Sequence, residues 1–412
     1  MTLNPSNSPE SSGIGSGPLN GIRVLDLTTI LLGPIATQIL GDMGADVIKV
    51  EAPSGDPMRQ IGPPPTDGMG AMFLGMNRNK RGVVLDLKQT KAMSALRHLV
   101  NNSDIFVHNM RSEAAERLGI GYRELTAWNP NIIYCGTYGF RAAGPYGTKP
   151  AFDDMIQAAS GLAYLQGANG PPRYVTSDIA DKVTAITVVY AISMALIHKL
   201  RTGRGQKVEV PMFETMAAFN LLEHLYGLTY EPARGQSGYP RLFSPDRRPY
   251  ATRDGYIGVL PYTDQQWQTI FRMAGREDLS NDPRYCSLAD RLANIDTLYS
   301  ELAQLLKDRT TAEWLDALDS ANVPAMAVLS PEDLISDDHL EAVDFWQRCH
   351  DSELGNLRFP GIPIQFSDSP GSIRRMVPRL GEHTREVLQE SGVTGNEVAE
   401  LLRTGAAWQA AR

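Results

Sequence analysis

Cysteine is scarce. Cys135, Cys286 and Cys349 stand far apart in 412 residues, so there is no disulfide framework and no Cys-x-x-Cys motif, and a reducing, cytoplasmic setting is expected. The seven histidines show no metal-ligand spacing, so no metal site is expected. No apolar stretch of about 18 residues is free of charged or turn residues, and no membrane span is expected. The opening MTLNPSNSPESSGIGSGP has neither a basic start nor an apolar segment, so it is not expected to act as a secretory signal. Residues 1–18 read as a disordered tail with nothing to bury. A basic surplus is also missing. Lys and Arg number 39 against 47 Asp and Glu, a net charge of −8, which argues against nucleic acid as a partner because phosphate binding needs a basic face.

What remains is an ordinary globular composition, 42% hydrophobic and 21% charged, long enough for two or three domains and a large core. Residues 22–27 form a β-type run, 32–34 a turn, 36–43 a helix ended by Gly44, and 46–51 a second strand. Strand, helix and strand within about 30 residues make a βαβ unit and imply a parallel sheet. Further strands at 83–87, 104–108 and 132–136 and a helix at 92–101 predict a doubly wound, Rossmann-like α/β domain. A long helix is expected over 182–201, where Val183, Ile186, Val189, Tyr190, Met194 and Ile197 recur at three- and four-residue steps before Gly203 stops it. A strand follows at 207–210. The Pro-, Gly- and Arg-rich stretch 231–249 is the best domain boundary. Beyond it, a strand at 256–260 and helices at 265–273, 292–307 and 311–321 predict a second, smaller α/β domain.

Dinucleotide chemistry would need Gly-x-Gly-x-x-Gly after the first strand. Here Thr28-Thr29-Ile30-Leu31-Leu32-Gly33-Pro34 offers one glycine in reach, and no Walker loop, His-Glu-x-x-His or Gly-x-Ser-x-Gly occurs elsewhere. Basic residues do gather: Asn77-Arg78-Asn79-Lys80-Arg81 precedes the third strand, Lys88 follows it, and Arg111 and Arg117 follow the fourth. Ligands of open α/β sheets bind at the carboxyl ends of strands, so Lys88, Asn109 and Arg117 are placed to converge on a phosphate-bearing ligand. The same spacing also fits solvated surface charge. Asp181 or Asp178 has two readings at the start of the long helix. One of them caps the helix N–H groups, or Asp181, kept ionised by the helix dipole in a partly buried site, acts as a nucleophile. The residues alone favour capping.

Taken in order, the motifs resemble the class III coenzyme A transferases, the family of formyl-CoA transferase, carnitine CoA-transferase and α-methylacyl-CoA racemase. The resemblance runs from about Leu19 to Phe213 and more weakly to the C-terminus. Its carriers are LNGIRVLDL at 19–27, GDMGADVIKVE at 41–51, NRNKR at 77–81 with LDLK at 85–88, and Asn109 with ERLG at 116–119. Phe152-Asp153, QAASG at 157–161 and TGRGQ at 202–206 complete it.

The resemblance implies an interlocked-dimer fold, with a large CoA-binding domain at 19–225 to which 340–412 return, and a linker and small domain at 226–339. It implies that Asp181 is the catalytic nucleophile, attacking an acyl-CoA to form covalent aspartyl intermediates. Ile30, Leu31 and Leu32 should lie along the pantetheine, and Leu85, Lys88, Asn109, Met110, Arg111 and Arg117 should hold the nucleotide end. Phe152 and Asp153 are also expected to contact the bound CoA, and they stand where the family's racemase has a His-Asp pair. Phenylalanine moves no proton, which disfavours racemisation; core packing is its other expected role. Leu31 replaces the glutamine of the formyl-CoA enzyme, Ala52 replaces a common basic residue, and Leu260 to Asp264 replace a tetraglycine loop. The expected activity is reversible CoA transfer from an acyl-CoA, with succinyl-CoA as donor, to a small carboxylic or dicarboxylic acid. No permanently bound cofactor, metal, nucleic acid or membrane is expected. Racemase/isomerase chemistry and non-catalytic acyl-CoA binding are the alternatives. In the stretch 241–248, Arg241, Arg247 and Arg248 either hold a distal carboxylate or lie on the surface.

Overall fold

The structure is a computed structural model that describes residues 17–63, 68–168 and 170–410. The tail expected at 1–18 lies outside the described residues for all but its last two positions. The chain divides into two compact units. One comprises Met1–Leu162, Tyr174–Ala218 and Asp344–Arg412, the other Ala163–Arg173 and Phe219–Val343.

The first unit is built on six parallel strands: β1 (Arg23–Leu27), β2 (Asp46–Glu51), β3 (Lys80–Leu85), β4 (Ile105–His108), β5 (Ile133–Tyr138) and β6 (Lys207–Pro211). Their order is β3-β2-β1-β4-β5-β6, and the strand Ala407–Trp408 adds antiparallel to the β3 edge. Successive side chains leave a strand on opposite faces. Accordingly Leu25, Ile48 and Phe106 pack in one buried cluster with Leu96 and Leu388, while Val24, Val47 and Val107 pack in another with Leu40 and Val188. Burial on both faces explains why these strands read as continuous Val/Ile/Leu runs. Three helices position the site: α1 (Leu32–Asp42), α2 (Asp153–Ala159) and α3 (Ile179–Thr202). Gly203 ends α3 at φ 74°, its N–H donating to the Lys199 carbonyl at 2.7 Å, the left-handed ending that glycine favours.

Three expectations change. The turn expected at 32–34 is the first turn of α1, where a proline removes no helical hydrogen bond. β3 starts at Lys80 rather than residue 83, and the basic cluster before it is internal. Lys80 Nζ is 3.0 Å from Asp26, Arg78 is 2.7 Å from Asp42, and Arg81 is 2.7 Å from both Asp46 and Glu390. Buried charges persist when they are paired. The helix expected at 292–307 is two, Leu288–Ala293 and Ile295–Leu305, broken at Asn294. α3 also meets the length and composition of a membrane-crossing helix, with a mean hydropathy of 1.7 and 33% of that window buried, as core helices of soluble proteins do. It packs along α1. Its remaining face exposes Ile186, Tyr190, Met194, Ile197 and Leu200.

The second unit carries a three-stranded antiparallel sheet, Tyr250–Ala251, Tyr256–Val259 and Ala325–Ala327. Helices Asp264–Met273, Ile295–Leu305 and Thr311–Ser320 bury Trp267, Phe271, Leu302 and Trp314 in its core. Thr263 and Thr310 open two of these helices with capping boxes, each satisfying two otherwise free N–H groups.

Candidate active site

The strand order reverses between β1 and β4, the place where open α/β sheets bind ligands at their carboxyl ends. There the loops after β1, β4 and β5 line a cavity of about 340 Å³ that includes Asp181.

The loop after β1 is held under strain. Ile30 has φ 73°, a left-handed conformation that costs a β-branched residue about 1–3 kcal/mol. Neighbouring elements pin it. Asn109 Nδ2 donates to the Thr29 carbonyl at 2.7 Å, and Asn109 Oδ1 accepts the Thr29 N–H at 3.1 Å. The Ile30 N–H donates to Asp56 at 3.2 Å, and buried Lys49 donates to both the Thr28 carbonyl (2.8 Å) and Asp56 (3.0 Å). Gly33 is required next to it, because a Cβ there would lie 2.2 Å from Thr28 Cβ.

Asp181 is the third residue of α3 and is 9% exposed. Asp178, at the N-cap position, makes no side-chain cap bond. The cap comes from α2: Asp153 Oδ1 accepts the Asp181 N–H at 3.0 Å. Gln157 donates to the other Asp153 oxygen and to the Ser177 carbonyl, and accepts the Val175 N–H at 2.9 Å. Among the described residues, none donates to the Asp181 carboxylate. Burial first, then the negative charges of Asp153 and Asp178, push its pKa up to about 7. The capping reading is not met by Asp178, and the alternative, in which the helix dipole keeps Asp181 ionised, is opposed by desolvation and two carboxylates, which outweigh half a unit of helix charge. Backbone N–H groups at a helix start can stabilise an oxyanion, but at the start of α3 two are taken: the Ile179 N–H donates to the Ser177 carbonyl and the Asp181 N–H to Asp153.

The cavity brings Ile30, Leu31, Leu32, Asn109, Met110, Arg111 and Phe152 together with Asp181. Phe152 is 62% exposed, so core packing is not its role. Asp153 sits behind Asp181 and does not line the cavity. Leu85 is buried in the core, while Lys88 and Arg117 are exposed on the loop after β3 and the helix Ser112–Arg117; none of the three reaches this cavity. Lys149, Tyr138, Gly139 and Met212 line it but were missed in the sequence. Lys149 adds a second cation beside Arg111. Its signal was position alone, in the loop that leaves the carboxyl end of β5. Apolar walls, two cations and a carboxyl group with a pKa near neutrality suit a carboxylate nucleophile acting on an anionic, partly apolar substrate.

The sequence model of the CoA-transferase family III matches residues 19–384. Among curated proteins, the succinyl-CoA:mesaconate CoA-transferase of Haloarcula hispanica is 33% identical, over 93% of this chain and 99% of its own. The succinate–glutarate CoA-transferase of Agrobacterium fabrum is 33% identical over 90% of this chain and 95% of its own. Among solved structures, a CAIB/BAIF family protein from Brucella suis superposes with a TM-score of 0.78 at 30% identity, covering 91% of this chain and all of that one.

Proposed function

The chain belongs to the CoA-transferase family III, and we propose that it moves CoA reversibly from succinyl-CoA to a small dicarboxylic acid, with Asp181 as the nucleophile. The observation that carries the role of Asp181 is its buried carboxyl group, to which none of the described residues donates, in the cavity where the strand order reverses. The substrate class rests on relatives named as succinyl-CoA:mesaconate and succinate–glutarate CoA-transferases.

In this reading the Asp181 carboxylate adds to the thioester carbonyl and expels CoA thiolate, leaving an acyl-aspartyl anhydride. The thiolate then attacks the aspartyl carbonyl, the donor acid departs, and an aspartyl-CoA thioester remains. The acceptor carboxylate repeats the two steps in reverse and restores Asp181. Dividing the exchange this way replaces one difficult displacement with easier ones. Desolvation makes Asp181 a stronger nucleophile once ionised, and the pinned loop at Thr29 to Leu32 lies along the pantetheine. Arg111 and Lys149 face the nucleotide phosphates, with Lys88, Arg117 and the backbone at Leu85 as outer contacts.

The working form is a homodimer in a cytoplasmic setting. The support is the exposed stripe Ile186, Tyr190, Met194, Ile197 and Leu200 along α3, an apolar face suited to a second copy. The test is an exchange assay of succinyl-, acetyl- and butyryl-CoA against a panel of carboxylic acids. Exchange that requires Asp181 supports the reading, and exchange that persists in Asp181→Ala refutes it.

A further inference from the structure

Gln157 lies on α2, one helical turn after Asp153, and is 1% exposed. An amide can present either its NH2 group or its oxygen to a neighbour. Here the choice is fixed from the far side. The Val175 N–H can only donate, and Gln157 Oε1 accepts it at 2.9 Å. The Ser177 carbonyl can only accept, and Gln157 Nε2 donates to it at 3.2 Å. The other Nε2 hydrogen is thereby turned on Asp153 Oδ2. A flipped amide would set donor against donor at Val175, and acceptor against acceptor at Ser177 and Asp153.

Asp153 therefore meets a donor at each oxygen: the Asp181 N–H at Oδ1, 3.0 Å away, and Gln157 Nε2 at Oδ2. Neither donor can accept a hydrogen. A proton on Asp153 would lack a partner there, and the oxygen bearing it would accept more weakly than a carboxylate does. Asp181 is the opposite case. Among the described residues nothing donates to its carboxyl group, so a proton on it breaks no bond. The other charges around it leave this contrast intact. Asp178 and Lys182 share its helix, and Lys182 is bonded to the Ser177 hydroxyl at 2.7 Å. Asp154 on α2 is exposed. Arg111, Lys149 and Tyr138 lie around the cavity, the Tyr138 hydroxyl being engaged by Glu209. α1 carries no ionisable side chain before Asp42.

We infer that Gln157 is a positioning residue that holds Asp153 as the anion of the Asp153–Asp181 pair, so that a proton taken up by the pair sits on Asp181. Asp153 is thereby excluded as the base that readies the nucleophile, and Asp181 must release its proton to the cavity before it attacks. The catalytic meaning of this assignment rests on the proposed role of Asp181; the place of the proton does not.

The test is an infrared pH titration of the full-length chain, following the carbonyl stretch of protonated carboxyl groups. On the acid side of neutrality, wild type should show a buried-carboxyl band that Asp181→Asn lacks and that Asp153→Asn keeps at lower pH. In Gln157→Met, which preserves length and removes the amide, part of that band should give way to one that is missing from Gln157→Met/Asp153→Asn. In parallel, kcat/KM on the acid limb, relative to each enzyme's alkaline plateau, should rise by up to about tenfold in Gln157→Met. The same substitution should add nothing in the Asp153→Asn background. An Asp181 band and an acid limb unmoved by Gln157→Met would overturn the inference. So would a wild-type band that Asp153→Asn removes and Asp181→Asn keeps, a comparison that does not depend on the folding of Gln157→Met. If the bands behave as expected but wild type exchanges no CoA, the transfer reading fails while the proton assignment stands.

Discussion

Asp153 holds Asp181 by its backbone while pushing on its side chain. One carboxylate oxygen of Asp153 accepts the Asp181 N–H at 3.0 Å, and the negative charge that makes this bond also raises the pKa of the Asp181 carboxyl group. Position and ionisation of the proposed nucleophile are therefore set by the same neighbour.

The pH dependence follows from that pairing. The reaction needs the ionised form of Asp181, whose pKa is about 7, so kcat/KM should rise with pH through a limb centred near neutrality. Replacing Asp153 with Asn keeps an oxygen for the N–H and removes a charge. The limb should move to lower pH in Asp153→Asn, as measured by rate profiles from pH 5 to 9. An unmoved limb would mean that Asp153 acts only as a cap.

Stability should move opposite to activity when Asp181 is neutralised. The folded pKa of about 7 exceeds the ordinary aspartate value of 3.8, so the unfolded chain loses its proton first as pH rises. The associated stability is fully present below pH 4 and is lost as pH rises through 7. Asp181→Asn avoids that loss. It should be inactive yet more stable than wild type at pH 8, by up to about 4 kcal/mol, with little difference at pH 4, as read by urea unfolding at the two values.

Asn109 should matter for binding through the strained loop. It makes both hydrogen bonds that fix Thr29. Asn109→Ala should cost about 1–3 kcal/mol of stability and raise KM for acyl-CoA more than it lowers kcat. Steady-state kinetics at saturating acceptor separates the two.

The cavity cations should show salt sensitivity. Lys149→Ala and Arg111→Ala should each raise KM for acyl-CoA about two- to fivefold at low salt, with the difference shrinking near 0.5 M salt as the charges are screened. Free pantetheine thioesters, which lack the nucleotide, should show no such dependence.

Much of this fold could be read from the sequence. The Val/Ile/Leu runs of β1, β2, β4 and β5 and the Gly-terminated apolar periodicity of α3 are local signals, and they predict the doubly wound α/β sheet. The start of β3 was not local. Lys80 is at home in a strand because Asp26, 54 residues earlier in the chain, neutralises it, and no window on the sequence contains both. The two-residue strand Ala407–Trp408 is too short to carry a period. Within the site, Asp181 and the residues after β1 and β4 were legible by their place next to strand and helix ends. Lys149 was not, because the 14 residues between β5 and α2 carry no periodic pattern. The raised pKa of Asp181 was hidden for the same reason as Lys80: it depends on which charges the fold brings close.

The most direct test is chemical trapping at Asp181. Incubation with succinyl-CoA and hydroxylamine, followed by digestion and mass spectrometry, should convert the Asp181 carboxyl group to a hydroxamate only when the thioester is present. A panel of acyl-CoAs that leaves the Asp181 peptide unmodified while CoA exchange proceeds, or a hydroxamate on another carboxylate, would contradict covalent catalysis by Asp181.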